Sequence, residues 1–544
     1  MLTKVKQLLI FYWGKECQKE MKKKVLSFTA ITTLGLLGLA ACGTNDKDTT
    51  STEVKDKDTF TYAISGDPTS LNPINVSDRW GLTVTNMVYS PLARVEEDGT
   101  LKYELADSME TTDAGKSVTV HLKKDVKWSD GEPFNADDVV FTYQAKAIKA
   151  NGNADALWIG DQPIETEKVD DYTVKFNFPQ VSAAAANNIA TETYIIPEHL
   201  YDGQEDIDFS GAELADGNVV GTGPYSLKEY KRGEYLQFEA NEHYYGGAAA
   251  VKNVTLRIIT NADTTKVALQ KGEVDASMVL PSDIDDLDKD KLATYTYSES
   301  RVGYMGLNLN SEKLSDQKVR QAIFFALNKD EMNQAAYLSD KYYNTPNTIL
   351  PPNNPFATTD AETYKQDVDK AKQLLTEAGV TNLKINLAYG ADNPEQTLQA
   401  TLIQQQLQAV GITVELAGGD ATAIFTELRN PESTKYDMFL GGYIMGNDPD
   451  LYAALYKSDA GANYFNYSSE TTDKLFEAGA LELDEAKRKE IYAELQATIN
   501  NDAVVYPIVD NKKILAASKQ IDGIKDARLI PIYSFEDLSK ISIK

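Results

Sequence analysis

Residues 105–141 read LADSMETTDAGKSVTVHLKKDVKWSDGEPFNADDVVF. Asp113-Ala114-Gly115 is a turn signal, and residues 117–122 (SVTVHL) then alternate apolar and polar, as a half-buried strand does. Asn135 stands ahead of a helical run as its cap, with Asp138 three residues on at the capping-box position. Asp137 and Asp138 also complement the helix dipole. Trp128 and Phe134 are predicted as buried anchors. The stretch reads as architecture and not as a ligand site.

The same signals recur outward from it. Residues 60–64, 172–178, 234–240 and 254–260 carry strand patterns, and Arg232-Gly233 places 234–240 as the second arm of a hairpin. Later segments read differently. Ser315-Asp316 starts a helix, and residues 367–378 form another that is stopped by Gly379. Strand 383–389, a helix over about 395–410 ended by Gly411, and strand 412–416 make a βαβ unit, which implies parallel pairing and a right-handed crossover. Helical patterns around 471–481 and 484–499 precede strand 503–509. The class is α/β with at least two lobes, without an internal repeat.

The 544 residues are 42% hydrophobic, enough to build a core, and carry formal charge −28. A field of that sign repels nucleic-acid phosphates, so nucleic acid is not an expected partner. Three histidines and two cysteines exclude a disulfide scaffold and cysteine-rich zinc modules. No H-E-x-x-H, G-x-S-x-G, Walker A or G-x-G-x-x-G motif occurs. His121 falls inside a strand pattern, which suits a strand-face residue better than a metal ligand. No enzyme, metal or cofactor is expected.

Lys22-Lys23-Lys24 precedes an apolar run from Val25 to Ala41, the layout of a secretory signal. That run is short for a membrane-spanning helix, which needs about 20 apolar residues. Leu39-Ala40-Ala41-Cys42 resembles a bacterial lipobox, whose cysteine is acylated after the chain is cut just before it. The expectation is a signal peptide over 1–41 with translation starting at Met21, lipidation at Cys42, and a polar tether over 42–58. The mature chain would carry net charge −33, since seven lysines and two glutamates leave with the signal.

Several stretches together resemble the oligopeptide- and dipeptide-binding proteins of peptide ABC importers, the extracellular solute-binding proteins of family 5. They are Pro68-Thr69-Ser70-Leu71-Asn72-Pro73, where the family usually shows Asp in place of Asn72, and residues 105–141 nearly throughout. Gly221-Thr222-Gly223-Pro224-Tyr225, Tyr244-Tyr245-Gly246, Lys271-Gly272-Glu273-Val274-Asp275, 316–328, 371–379 and Asp448-Pro449-Asp450 follow in family order. The resemblance implies a two-lobed clamp of the periplasmic-binding-protein-like type II fold with an extra inserted subdomain. Lobe I would hold 58–90, 219–310 and 505–544, the insert 91–218, and lobe II 311–504. Crossing segments near 303–310 and 502–509 would form the hinge.

It also implies a function: a lipid-anchored, monomeric receptor on the outer face of a bacterial, Gram-positive cytoplasmic membrane. Such a receptor captures peptides and delivers them to the permease subunits of an ABC transporter. A nickel-chelate or haem receptor of the same fold, a peptide-pheromone receptor and a secreted hydrolase are the alternatives. A buried peptide must have its backbone amides, ammonium and carboxylate paired, at about 1–3 kcal/mol per group left unsatisfied. In the family the peptide adds to strand edges. By position Gly442, Tyr443 and Ile444 on one lobe and Ser77, Asp78, Arg79 and Trp80 on the other face this task. Tyr304, with Tyr443, Tyr464 and Tyr467, falls near the expected cleft. The family's ammonium-binding aspartate is missing from Gly442–Asp450 (GYIMGNDPD), where its place holds Met445 or Gly446. Asp448 or Asp450 beside Asn447 is the candidate substitute, and a helix cap is the competing role for Asp448.

Overall fold

A computed structural model of the chain describes residues 58–96, 99–152, 154–201 and 219–544. The expected signal segment, Met21, Cys42 and nearly all of the tether lie outside the described residues. No described helix is long and apolar enough to cross a membrane.

The strand Thr59–Ile64 lies parallel to Asn253–Ile258 and Ala276–Val279. Its Phe60, Tyr62 and Ile64 enter the first core with Leu236, Phe238, Val254 and Leu256. The hairpin Tyr225–Lys231 and Tyr235–Ala240 forms as the Arg232-Gly233 turn predicts and closes this end of the sheet. These elements fall in the ranges expected for lobe I.

Lobe II contains the βαβ unit. The strand Lys384–Gly390, the helix Pro394–Gln408 and the strand Thr413–Gly419 follow one another, and the two strands pair in parallel from Lys384↔Thr413 to Gly390↔Gly419. Met438–Ile444 lies antiparallel to Arg301–Leu307. The period-two alternation sends Met305 and Leu307 into one core and Val302 and Tyr304 into the other, so the sheet is covered on both faces.

The lobes share one strand. Val505–Ser518 pairs with Arg301–Leu307 at Gly303↔Val509 to Gly306↔Val505, and with Ala276–Val279 and Leu292–Ser298 further along. The expected strand at 503–509 is therefore the first part of a 14-residue strand. It joins a twelve-stranded sheet that runs through both lobes. The ladder with Arg301–Leu307 shifts register between Gly303 and Tyr304.

Residues 105–141 build a third body. Ala106–Thr112, Ser117–Leu122, Thr173–Asn177 and Glu165–Asp170 form a separate antiparallel sheet. The helix Ala136–Ala147 starts with the full capping box: Asp137 N–H donates to Asn135, and Asn135 N–H donates to Asp138 Oδ2 at 2.9 Å. Trp128 and Phe134 are fully buried and meet edge to face.

Candidate functional site

A cavity of about 1120 Å³ lies where the three bodies meet. The four-stranded body contributes Trp158, Val181, Ser182 and Asn188. Lobe I contributes the C-terminal wall of Arg528, Ile530, Ile532 and Tyr533, and lobe II the segment 444–451 with Phe476, Glu477 and Ala480. The volume exceeds the roughly 300–1,000 Å³ of a drug-sized site.

Lobe II presents its wall from strand ends. Lys384–Gly390, Thr413–Gly419 and Met438–Ile444 run parallel and finish toward the same side, the usual position for ligand crevices in parallel sheets. Met438–Ile444 reaches beyond its neighbour: pairing with Lys384–Gly390 stops at Ala388↔Phe439. Gly442, Tyr443 and Ile444 therefore have one backbone edge without a strand partner among the described residues. These three lie within the strand, which extends past the expected end at 441. Ile444 lines the cavity. The Tyr443 ring is buried, and its hydroxyl donates to Ile349 C=O at 2.8 Å. Tyr304 is likewise buried against Phe439, Tyr443 and Phe465. Both tyrosines are core, so at this position only the Tyr443 backbone is available to a ligand.

The acidic pair after the strand divides by role. Asp448 caps the 3-10 turn Pro449–Tyr452 and accepts Asp450 N–H at 2.9 Å. Arg488 holds its carboxylate from the other side, Nη1 to Oδ2 at 2.7 Å and Nη2 to Oδ1 at 2.8 Å. Both charges of that pair are consumed within the protein, which argues against Asp448 as the partner of a ligand cation. Among the described residues, the Asp450 carboxylate accepts only the Tyr492 hydroxyl, at 3.4 Å. Burial, reinforced by the charge of Asp448, pushes its carboxyl up to about 6. Asn447, exposed on the cavity wall, accepts from Asn354 Nδ2 at 3.0 Å through its carbonyl.

The second expected segment is placed elsewhere. Asp78 caps the helix Arg79–Val88, and its Oδ1 takes the N–H groups of Trp80 and Gly81. Arg79 pairs with the buried Glu299 and donates to Ile532 C=O. Trp80 packs on Tyr62, and Ser77 is exposed. None of Ser77, Asp78, Arg79 and Trp80 lines the cavity. The correction has a physical cause: a helix N-terminus uses those backbone groups for its own cap, so they form no free strand edge.

Sequence reading passed over the wall that lobe I supplies instead. Arg528 donates to Glu96 at 2.6 Å and to Val95 C=O at 2.8 Å, and is also paired with Glu536. Arg528, Ile532 and Ser534 all adopt positive φ. Positive φ is uncommon outside glycine, and neither Arg528 nor Ile532 is a residue type that signals it in the sequence.

The segment after the four-stranded sheet touches the helix Glu470–Leu481 directly. Ala183 N–H donates to Ala480 C=O at 2.8 Å. Beside it Leu483 and Val181 both approach Gly115, where an added β-carbon would sit 2.7 Å from Leu483 Cδ1 and 3.3 Å from Val181 Cγ1. The contact bridges the cavity rim, since Val181, Ser182, Ala480 and Leu481 all line it.

The sequence pattern of bacterial extracellular solute-binding proteins, family 5 middle, matches residues 100–466. The chain is 27% identical over 498 residues to the oligopeptide-binding protein AppA of Bacillus subtilis, covering 87% of this chain and 89% of the relative. It is similar in structure to the ABC transporter substrate-binding protein CtaP of Listeria monocytogenes, with TM-score 0.85 and 38% identity over 90% of this chain and 100% of that one. AppA of Bacillus subtilis, solved with a nonapeptide, gives TM-score 0.74 and 25% identity over 89% and 99%. A pattern spanning most of the chain, with these relatives matched over nearly their whole length, makes the chain a member of the bacterial extracellular solute-binding proteins of family 5.

Proposed function

We propose that this protein captures peptides outside the cell and delivers them to the permease subunits of an ABC importer, binding and releasing without catalysis. One observation supports it: a cavity larger than a drug-sized site, with an unpaired strand edge that ends at Ile444 on its wall. An extended peptide adds to such an edge through its backbone, so Gly442, Tyr443 and Ile444 would hold the main chain while the wall tolerates varied side chains. The ligand ammonium is assigned to Asp450, because Asp448 already faces Arg488. Relatives named for binding oligopeptides and dipeptides support the ligand class.

Lobe I is assigned 58–90, 219–310 and 505–544, the insert 91–218 and lobe II 311–504. Cys42 after Leu39-Ala40-Ala41 is assigned as the lipid anchor of a monomer on the outer face of a Gram-positive membrane. Covalent attachment suits an acidic body, which then needs no affinity for lipid headgroups.

Calorimetry with random-sequence peptides, nickel–histidine and haem tests the ligand class. The expected result is heat and closure with peptides alone. Binding of nickel–histidine or haem with no response to peptides refutes it.

A further inference from the structure

Five carboxylates line the cavity: Glu192, Asp448, Asp450, Glu477 and Glu536. Four of them have a partner inside the protein. Asp448 is held by Arg488 and Glu536 by Arg528, Glu477 meets Lys457 at 3.7 Å, and Asp450 accepts the Tyr492 hydroxyl. The Glu192 carboxylate has no hydrogen bond or ion pair among the described residues. No cation of the cavity wall is left to answer it: Arg94 pairs with Glu104 at 3.5 Å, and Lys457 and Arg528 are taken as above.

The local structure commits the backbone of Glu192 and leaves its side chain. The residue is the C-cap of the helix Ala185–Thr191, and its N–H donates to Asn188 C=O at 3.0 Å. The buried Lys146 ammonium donates to the Glu192 C=O and, at 3.0 Å, to Thr193 Oγ1. The Glu192 side chain is solvent-accessible, yet burial holds its carboxyl above the usual range against the pull of Lys146, so the water it meets is that of the cavity. Tyr194 and Tyr533, with ring centroids 6.0 Å apart, line the same cavity, and their hydroxyls, raised first by burial, also feel the Glu192 charge.

We propose that Glu192 is a specificity-determining residue that receives a basic side chain of the bound peptide. The inference rests on the peptide reading above and gives the ligand a second cation, besides the ammonium assigned to Asp450. A shielded carboxylate without an internal partner is costly, and a lysine ammonium or arginine guanidinium brings that partner through charge-assisted hydrogen bonds. The tyrosine rings suit the same group, since a cation is drawn to an aromatic face.

The test is retention of a peptide mixture carrying Lys or Arg against the same mixture with Nε-acetyl-lysine or citrulline in their place, read by mass spectrometry of what the full chain retains. Both mixtures keep the free N-terminus. Salt at about 0.15 M screens long-range attraction to the acidic body. Glu192→Gln, Glu192→Asp and the surface control Glu415→Gln are compared, with unfolding midpoints measured alongside. The wild type and Glu415→Gln are expected to prefer the basic peptides by about tenfold. Glu192→Gln is expected to bring that ratio to within about twofold, and Glu192→Asp to fall between. An unchanged preference in Glu192→Gln, or a wild type indifferent to the basic group, overturns the subsite and leaves the peptide reading standing. Loss in Glu192→Gln of discrimination against N-acetylated peptides alone overturns it too, because the carboxylate would then serve the main-chain ammonium. No retention of any peptide overturns both readings.

Discussion

Arg488 grips Asp448 in a two-pronged ion pair, with both side chains more than nine-tenths shielded from water. Arg488 also donates through Nε to Gly479 C=O at 2.8 Å and stacks near Phe356 and Tyr492. The pair ties the cavity segment to the helix Glu485–Asn501. Removing one partner leaves a buried charge, so Asp448→Asn should cost about 3–5 kcal/mol of stability. The double variant Asp448→Asn with Arg488→Met should recover part of that loss in urea unfolding. Losses that simply add would show that the pair is not coupled.

Asp450 is expected to govern the pH dependence of binding. A carboxyl held near 6 is mostly protonated at pH 5, when a peptide ammonium is fully charged. Affinity for peptides with free N-termini should therefore rise from pH 5 to pH 7, and N-acetylated peptides should show a flatter profile. Asp450→Asn should abolish the difference between the two. Because this folded-state value is raised, ionising Asp450 in the ligand-free protein removes stability as pH climbs from about 3.8 to about 6. Calorimetry across that range, with both peptide forms, checks the binding claim.

The approach of Leu483 to Gly115 is expected to hold the clamp shut. Replacing Leu483 by Ser removes part of a leucine burial, about 1 kcal/mol. Peptide dissociation should then speed up by about fivefold with the unfolding midpoint almost unchanged. Stopped-flow fluorescence measures the rate. An unaltered rate would mean that the contact does not contribute to closure.

Asp138 is the busiest carboxylate of the capped helix. It accepts N–H groups from Asn135 and Glu198 and the indole N–H of Trp128. Burial pushes it up to about 6 despite those donors. An amide in its place has one acceptor oxygen, so at least one buried donor loses its partner. Asp138→Asn should cost about 1–3 kcal/mol, measured by denaturant unfolding at neutral pH.

The capped helix, the hairpins and the βαβ unit were legible because their signals are local: alternation, Asn135 with Asp138, and Gly379 in the left-handed region after its helix. Long-range pairings carry no such mark. Val505–Ser518 contains Asp510-Asn511-Lys512-Lys513, which breaks the apolar pattern, yet the strand continues because different partners take over beyond it. Asp448 could be read as a cap or a ligand group until Arg488, 40 residues away, was seen to hold it. The helix Arg79–Val88 is rich in β-branched residues and contains a glycine, which lowers its propensity, although Trp80, Val84, Met87 and Val88 recur at helical spacing; the resemblance alone put Asp78 at the cleft. Buried tyrosines look the same in sequence whether they pack a core or line a cleft, and Tyr304 and Tyr443 pack a core.

The central claim concerns what fills the cavity. Protein purified under native conditions, checked by native mass spectrometry and then denatured, releases whatever it carried for sequencing by tandem mass spectrometry. Peptides of several residues, with varied side chains and free ends, are the predicted result. A sugar, a nickel complex or haem as the released species would contradict the account.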